Sequence, residues 1–263
     1  MRVMTLNIWN LMGPWRERRT EIVAWIDRLE PDVVCLQEVI HNADGRDQAS
    51  WLASAAAGDW HVAHGPAWQF GDGGSFGNAV LSRRPIEASS VTLLPFEPRP
   101  DDEQRGLLHA RTGGVDVFCT HLNWRYEDGL LRERQVASIV KAIASLADET
   151  SPLPPILAGD MNAEPDSTEM RYVAGLTSLG EHSTYFQDSW RVAGSRGPGW
   201  TWDNRNPFAN AVHEPDRRID YIFVGWRRDS GAGRVESARV VCDRALTGTF
   251  ASDHFGLLAE IGM

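Results

Sequence analysis

Residues 156–165 read Ile156-Leu157-Ala158-Gly159-Asp160-Met161-Asn162-Ala163-Glu164-Pro165. Ile156 to Ala158 pattern as a short buried strand, and Asp160 and Asn162 stand where it runs into a turn. At such strand ends, side chains from distant parts of a chain can meet in one crevice. Alone, an Asp-x-Asn is an ordinary turn. What decides the fold is that the same arrangement recurs along the chain.

Toward the N-terminus, Asn7 lies in Thr5-Leu6-Asn7-Ile8-Trp9, Glu38 closes Val33-Val34-Cys35-Leu36-Gln37-Glu38, and His121 closes Val117-Phe118-Cys119-Thr120-His121. Toward the C-terminus, Asp220 lies in Arg217-Arg218-Ile219-Asp220-Tyr221-Ile222, and Ser252-Asp253-His254 precedes a final apolar run. Strands are expected over 2–8, 33–37, 60–63, 78–82, 86–94, 156–158, 219–224, 235–241 and 255–261. Residues 107–111 and 115–119, split by Thr112-Gly113-Gly114, read as a β-hairpin. Helical periodicity marks 15–29, 48–57 and 129–147, the last ended by Pro152, Pro154 and Pro155. The five glycines between 65 and 77 read as a long loop, as does the Gly- and Pro-rich stretch 194–212. Strands alternating with helices give an α/β fold, and the hairpin makes its sheets mixed. No repeat or linker splits the chain, so 1–263 is expected to be one domain.

The composition narrows the class. With 36 acidic and 26 basic side chains the formal charge is −10, which argues against a protein that coats long nucleic acid. No apolar run approaches the ~18 residues a membrane helix needs, so a cytoplasmic protein is expected. Cys35, Cys119 and Cys242 each sit in a strand-like run and read as buried free thiols. Only Lys141 among the basic residues is a lysine, so an arginine carries little information by being one.

Four carboxylates on strand ends, Glu38, Asp160, Asp220 and Asp253, would repel one another and resist burial unless a cation joined them. A hard divalent cation taking oxygen ligands, Mg²⁺ or Mn²⁺, is the economical answer; clustered cysteines or a paired-histidine helix, the marks of zinc, are absent from the pattern.

The ordered series Thr-Leu-Asn7, Leu-Gln-Glu38, Thr-His121-Leu, Gly-Asp160-Met-Asn162-Ala-Glu-Pro, Arg-Ile-Asp220-Tyr and Ser-Asp253-His254 resembles the endonuclease/exonuclease/phosphatase superfamily, to which deoxyribonuclease I belongs. The resemblance runs from residue 7 to residue 254. It implies a four-layer α/β sandwich, two packed mixed sheets with helices outside, and metal-dependent cleavage of a phosphoester by water. Carried over, Glu38 would be the principal metal ligand with Asn7 beside it, and Asp253 would serve a second metal position or the water network. Asp160 would orient or deprotonate the attacking water and Asn162 would donate to a phosphate oxygen. His254, oriented by Asp220, would contact the phosphoryl group, and His121 would donate to the developing charge. Apurinic endonucleases typically carry tyrosine where this chain has His121, and inositol 5-phosphatases follow the Gly-Asp-x-Asn motif with Tyr-Arg rather than Ala163-Glu164. The chain looks more like the sphingomyelinase-like and exoribonuclease-like branches.

Further substrate-facing candidates are Asn78, Trp124, Arg125 and Trp202, with Trp200 as another wall. For each a structural role is the competing reading: a strand-opening turn, a solvated arginine, core packing. The expected activity is a metal-dependent phosphodiesterase acting on a small, lipid-like or short-nucleotide phosphoester. The alternative is a nuclease on single-stranded or damaged nucleic acid. A non-catalytic interaction module would have lost a member of the series, and none is lost.

Overall fold

In the computed structural model, which describes residues 1–41, 47–71, 73–99 and 103–263, the chain forms two six-stranded sheets. The first contains β1 (Arg2–Asn7), β2 (Val33–His41), β3 (His61–Gln69), β4 (Ser75–Ser82), β11 (Val235–Val241) and β12 (Gly256–Ile261), in the order β11-β12-β1-β2-β4-β3. The second contains β5 (Ile86–Leu93), β6 (Gly106–Thr112), β7 (Val115–His121), β8 (Ile156–Asp160), β9 (Gln187–Asp188) and β10 (Asp220–Val224), in the order β5-β6-β7-β8-β10-β9.

Strand alternation explains the layering. Val3 of β1, Val33 and Cys35 of β2 and Leu257 and Ala259 of β12 meet Leu108, Val117, Cys119, Ile156 and Ile222 of the other sheet in a fully buried seam. Their neighbours Met4, Leu6, Val34 and Leu36 point the other way, onto Ile22, Trp25, Ile26 and Leu29 of α1 (Trp15–Leu29) and Leu52 of α2 (Gln48–Ala55). Phe118, Leu157 and Phe223 likewise face Val136, Ile139 and Ile143 of α3 (Gly129–Leu146) and Met170 and Val173 of α4 (Thr168–Val173). Burying each such side chain is worth about 1.5–3 kcal/mol, and both faces of both sheets collect it. The result is four layers, helix, sheet, sheet, helix, as the family resemblance implies.

Two parallel pairs, β1 with β2 and β7 with β8, are each joined by a long helix, α1 and α3; the other pairings are antiparallel. The C-terminal ends of β1, β7 and β8 bear Asn7, His121 and Asp160. No helix among the described residues is long and apolar enough to cross a membrane.

The expected hairpin is present, with Gly113 at φ +56° and Gly114 at φ +74° turning β6 into β7. The expected loop over 65–77 is not: residues 61–69 and 75–82 pair as β3 and β4, with Asp72 outside the described residues. Here glycine serves close approach rather than flexibility. A Cβ on Gly77 would lie 2.1 Å from the Gly65 carbonyl oxygen, and one on Gly65 would lie 2.7 Å from Leu108 Cβ. Pro66 is tolerated because β3 is an edge strand. The stretch 194–212 is a loop broken by α6 (Pro207–Asn210), and β9, α4 and α5 (Ser189–Ala193) were too short for their periods to register. Cys35, Cys119 and Cys242 are all buried free thiols, as expected.

Candidate active site

Register alone brings three candidates side by side. His121 of β7 pairs with Asp160 of β8, and Asp160 pairs with Asp220 of β10, so three adjacent strands present their polar residues in one row. Gly159 makes the row possible: a Cβ there would lie 1.9 Å from the Thr120 carbonyl oxygen. Asn162, at φ +48°, bends back so that its backbone N–H donates to Asp160 Oδ1 at 2.9 Å.

Glu38 arrives differently from its expected place at a strand end. β2 continues to His41, and Glu38 sits inside it at a register shift against β4, in the left-handed region at φ +58°. Such a bulge re-aims a side chain, and a non-glycine residue held there stores strain that the surroundings must offset. Both oxygens of Glu38 are held: Asn7 Nδ2 donates to Oε1 at 3.1 Å and Asn10 Nδ2 to Oε2 at 3.0 Å.

Asp160 is the hub. Asn7 Nδ2 also donates to its Oδ2 at 3.0 Å, and His121 Nε2 and His254 Nε2 lie 3.4 Å and 3.7 Å from the same oxygen. His254 Nδ1 donates to Asp220 Oδ2 at 2.9 Å, and Trp202 packs edge-on to the His254 ring at 5.0 Å. Asp160, Asp220 and His254 are buried and bring ligand atoms within 4.8 Å of one another, while Asp220 Oδ1 is buried with no hydrogen-bond partner.

Burial pushes the Asp160 carboxyl up to about 6, with the Asp220 charge adding to it against the pull of His254. Asp253 is pushed up to about 7, again by burial first, with His254 opposing and Glu38 adding. Burial alone would depress His254, but the Asp220 and Asp160 carboxylates outweigh it and hold the imidazole at about 10, so it is a cation at neutral pH. His121 goes the other way: burial and the Arg105 cation push it well below the ordinary range. Arg105 donates to its Nδ1 at 3.0 Å, which leaves the proton of the neutral ring on Nε2, 3.0 Å from the Asn162 amide and 3.4 Å from Asp160 Oδ2. His121 is thus built as a neutral donor and His254 as a charged one.

Of the substrate-facing candidates, Trp202 is buried against His254, and Trp124 is half-exposed with the Arg125 guanidinium 4.7 Å over its ring. Asn78 lies between the sheets, where Nδ2 donates to the Gly106 and Cys119 carbonyls at 2.9 and 3.4 Å. Arg218 forms a buried two-pronged pair with Asp188, and His64 and His109 find carboxylate partners in Asp47 and Asp116 that the sequence did not suggest.

Sequence patterning also does not point to Asn10, Arg105 or Arg18. For Arg18 a signal exists: it stands four residues before Ile22 on the apolar face of α1. Arg105 precedes its strand with no pattern to mark it.

The sequence pattern of the Endonuclease/Exonuclease/phosphatase family matches residues 4–254. The uncharacterized protein YbhP of Escherichia coli (strain K12) is 29% identical over 179 residues, covering 61% of this chain and 66% of YbhP. The alignment therefore spans a little under two thirds of that relative's length. An endonuclease/exonuclease/phosphatase from Beutenbergia cavernae DSM 12333 superposes with a TM-score of 0.72 at 27% identity, covering 100% of this chain and 72% of that one. TDP2 from D. rerio, complexed with single strand DNA product, superposes with a TM-score of 0.75 at 20% identity over 100% of this chain and 99% of its own, a likeness of fold.

Proposed function

The chain belongs to the endonuclease/exonuclease/phosphatase family, and from that premise we propose that it is a divalent-metal-dependent phosphodiesterase that cleaves a P–O bond with an activated water. The observation that carries this reading is the environment of Asp160, a buried carboxyl held near neutrality and surrounded by one charged donor, one neutral donor and two amides.

The residues fit a divalent cation. Four carboxylates, Glu38, Asp160, Asp220 and Asp253, face two unmatched cations, His254 and Arg18, which leaves a formal charge of −2; Arg105 is matched by Glu103. Burial pushes the Asp160 and Asp253 carboxyls upward, so below neutral pH protons relieve that surplus in place of a cation. Glu38 and Asp253 would hold Mg²⁺ or Mn²⁺, with Asn7 beside them. Asn7 presents its Nδ2, so ligation through Oδ1 would require the amide to turn over. A metal bound there supplies Lewis-acid polarisation of a phosphoryl oxygen and charge stabilisation at the leaving group.

The chain's own groups do the rest. Asp160 accepts a proton from water or aims it. The His254 imidazolium, oriented by Asp220, and the His121 Nε2–H donate to phosphoryl oxygens as charge develops, and Asn162 adds an amide donor. The acidic balance of the chain favours a compact substrate, small, lipid-like or a short nucleotide. A cytoplasmic setting belongs to the same reading, supported by the three free thiols. The second reading, action on single-stranded nucleic acid, draws support from the fold likeness to D. rerio TDP2 and from Trp124 with Arg125 stacked on it.

The test is hydrolysis of an aryl phosphodiester beside short single-stranded DNA. Chelation is expected to abolish turnover and Mg²⁺ or Mn²⁺ to restore it. Asp160→Ala should lower kcat by about 10²–10⁴-fold with the fold intact; wild-type turnover in that variant would sink the assignment.

A further inference from the structure

The Arg18 guanidinium is wholly buried inside a protein whose other arginines are mostly solvated or ion-paired. It touches no carboxylate among the described residues. Its nitrogens donate instead to five backbone carbonyls: Ile8 at 2.7 Å, Trp9 and Asn10 at 3.1 Å, Met12 at 2.6 Å, and Ala251 at 3.1 Å. Four of these belong to the turn after β1 and the fifth to the segment leading into Asp253 and His254. The Trp9 and Trp15 rings lie 5.0 and 5.3 Å from the guanidinium carbon.

The turn it holds is strained, with Trp9 at φ +53° and Asn10 at φ +33°. That turn also positions the two amides on Glu38. Trp9 N–H donates to Asn7 Oδ1 at 2.9 Å and so orients the amide that reaches Glu38 Oε1, while Asn10 itself reaches Oε2. At the other end, Ser252, next to Ala251, donates to Asp253 Oδ1 at 3.0 Å.

We propose that Arg18 is the positioning residue of the metal site: one guanidinium fork fixes both the asparagine clamp on Glu38 and the segment carrying Asp253. This rests on the hydrolase reading above. A lysine would keep the charge but offer three donors from a point, without the planar fork that five carbonyls on two segments require.

The experiment measures Mn²⁺ binding by electron paramagnetic resonance of the free ion, independently of turnover, in wild type, Arg18→Lys and Asn10→Ala. Wild type is expected to bind. Arg18→Lys should weaken the affinity tenfold or more and lower kcat for the aryl phosphodiester with KM changed less than threefold. Asn10→Ala, at a less buried position, keeps the inference open to refutation if the Arg18 variant fails to fold; it should weaken Mn²⁺ affinity in the same direction. Wild-type Mn²⁺ affinity and kcat in a folded Arg18→Lys would reduce Arg18 to packing and overturn the inference, and unchanged affinity in Asn10→Ala would break the link to Glu38 and do the same. If wild type itself neither binds Mn²⁺ nor turns over, the hydrolase reading fails first.

Discussion

The Asn7 amide nitrogen lies 3.1 Å from Glu38 Oε1 and 3.0 Å from Asp160 Oδ2, so a single NH₂ group bridges the two sheets at the point where their carboxylates approach. Both of its protons are used, one on each side of the seam. An acceptor in its place would set three carboxylates against one another.

Asn7→Ala and Asn7→Asp should each destabilise the metal-stripped protein by about 1–3 kcal/mol for the donors lost, and Asn7→Asp by more, because its carboxylate adds repulsion. Part of the loss should return with Mg²⁺. Thermal unfolding with and without chelator measures it, and an Asn7→Asp protein as stable as wild type under chelation would contradict the bridge.

Glu38 at φ +58° makes stability and function separable. Glycine accepts that backbone freely, whereas alanine keeps the Cβ conflict, worth about 1–2 kcal/mol. Glu38→Gly should be more stable than Glu38→Ala by roughly that amount, and both should be inactive. Equal unfolding midpoints for the two variants would mean that the bulge carries no strain.

Metal affinity should depend on pH. Protons compete for Asp253 and Asp160, whose carboxyls are pushed up to about 7 and about 6 by burial first. Below those values the carboxyls hold protons that a cation must displace. The apparent affinity for Mn²⁺ should rise from pH 5 to about pH 7.5 and flatten above it, with proton release on binding near pH 6 measured by calorimetry in buffers of different ionisation enthalpy. A flat profile over that range would remove both groups from the site.

The His254–Asp220 pair gives a second pH signature, of opposite sense. The His254 pKa is raised, to about 10, so the stabilisation from pairing is complete below the unfolded value of about 6.5 and is lost as pH rises through about 10. Asp220→Asn breaks a buried pair, a loss of about 3–5 kcal/mol. The difference in melting temperature between wild type and this variant, measured under chelation, should be largest near pH 6.5 and shrink toward pH 10; a constant gap would assign the loss to packing.

The legible part of this protein was local. Short apolar runs with polar ends marked β1, β2, β7, β8 and β10, and apolar spacing marked α1 and α3, because those signals are carried by a few neighbouring residues. The site residues Asn7, Glu38, His121, Asp160, Asn162, Asp220, Asp253 and His254 could be named for the same reason: each stands next to a strand whose pattern is visible. The stretch 65–77 was misread because its glycines serve contacts with Leu108 and with the facing strand, and those partners are distant in sequence. His254 and His121 were legible as candidates, but their opposite charge states were not.

The amino-acid order by itself determined the layers, the family series and the surplus of buried acid that calls for a cation. Tertiary structure alone decided which group carries which charge. His254 is a cation because two carboxylates enclose it, and His121 is neutral because it is buried and because Arg105, from a strand start with no pattern of its own, approaches its Nδ1. Burial and the sign of the nearest charge set those states, and both arise only when the two sheets close on each other.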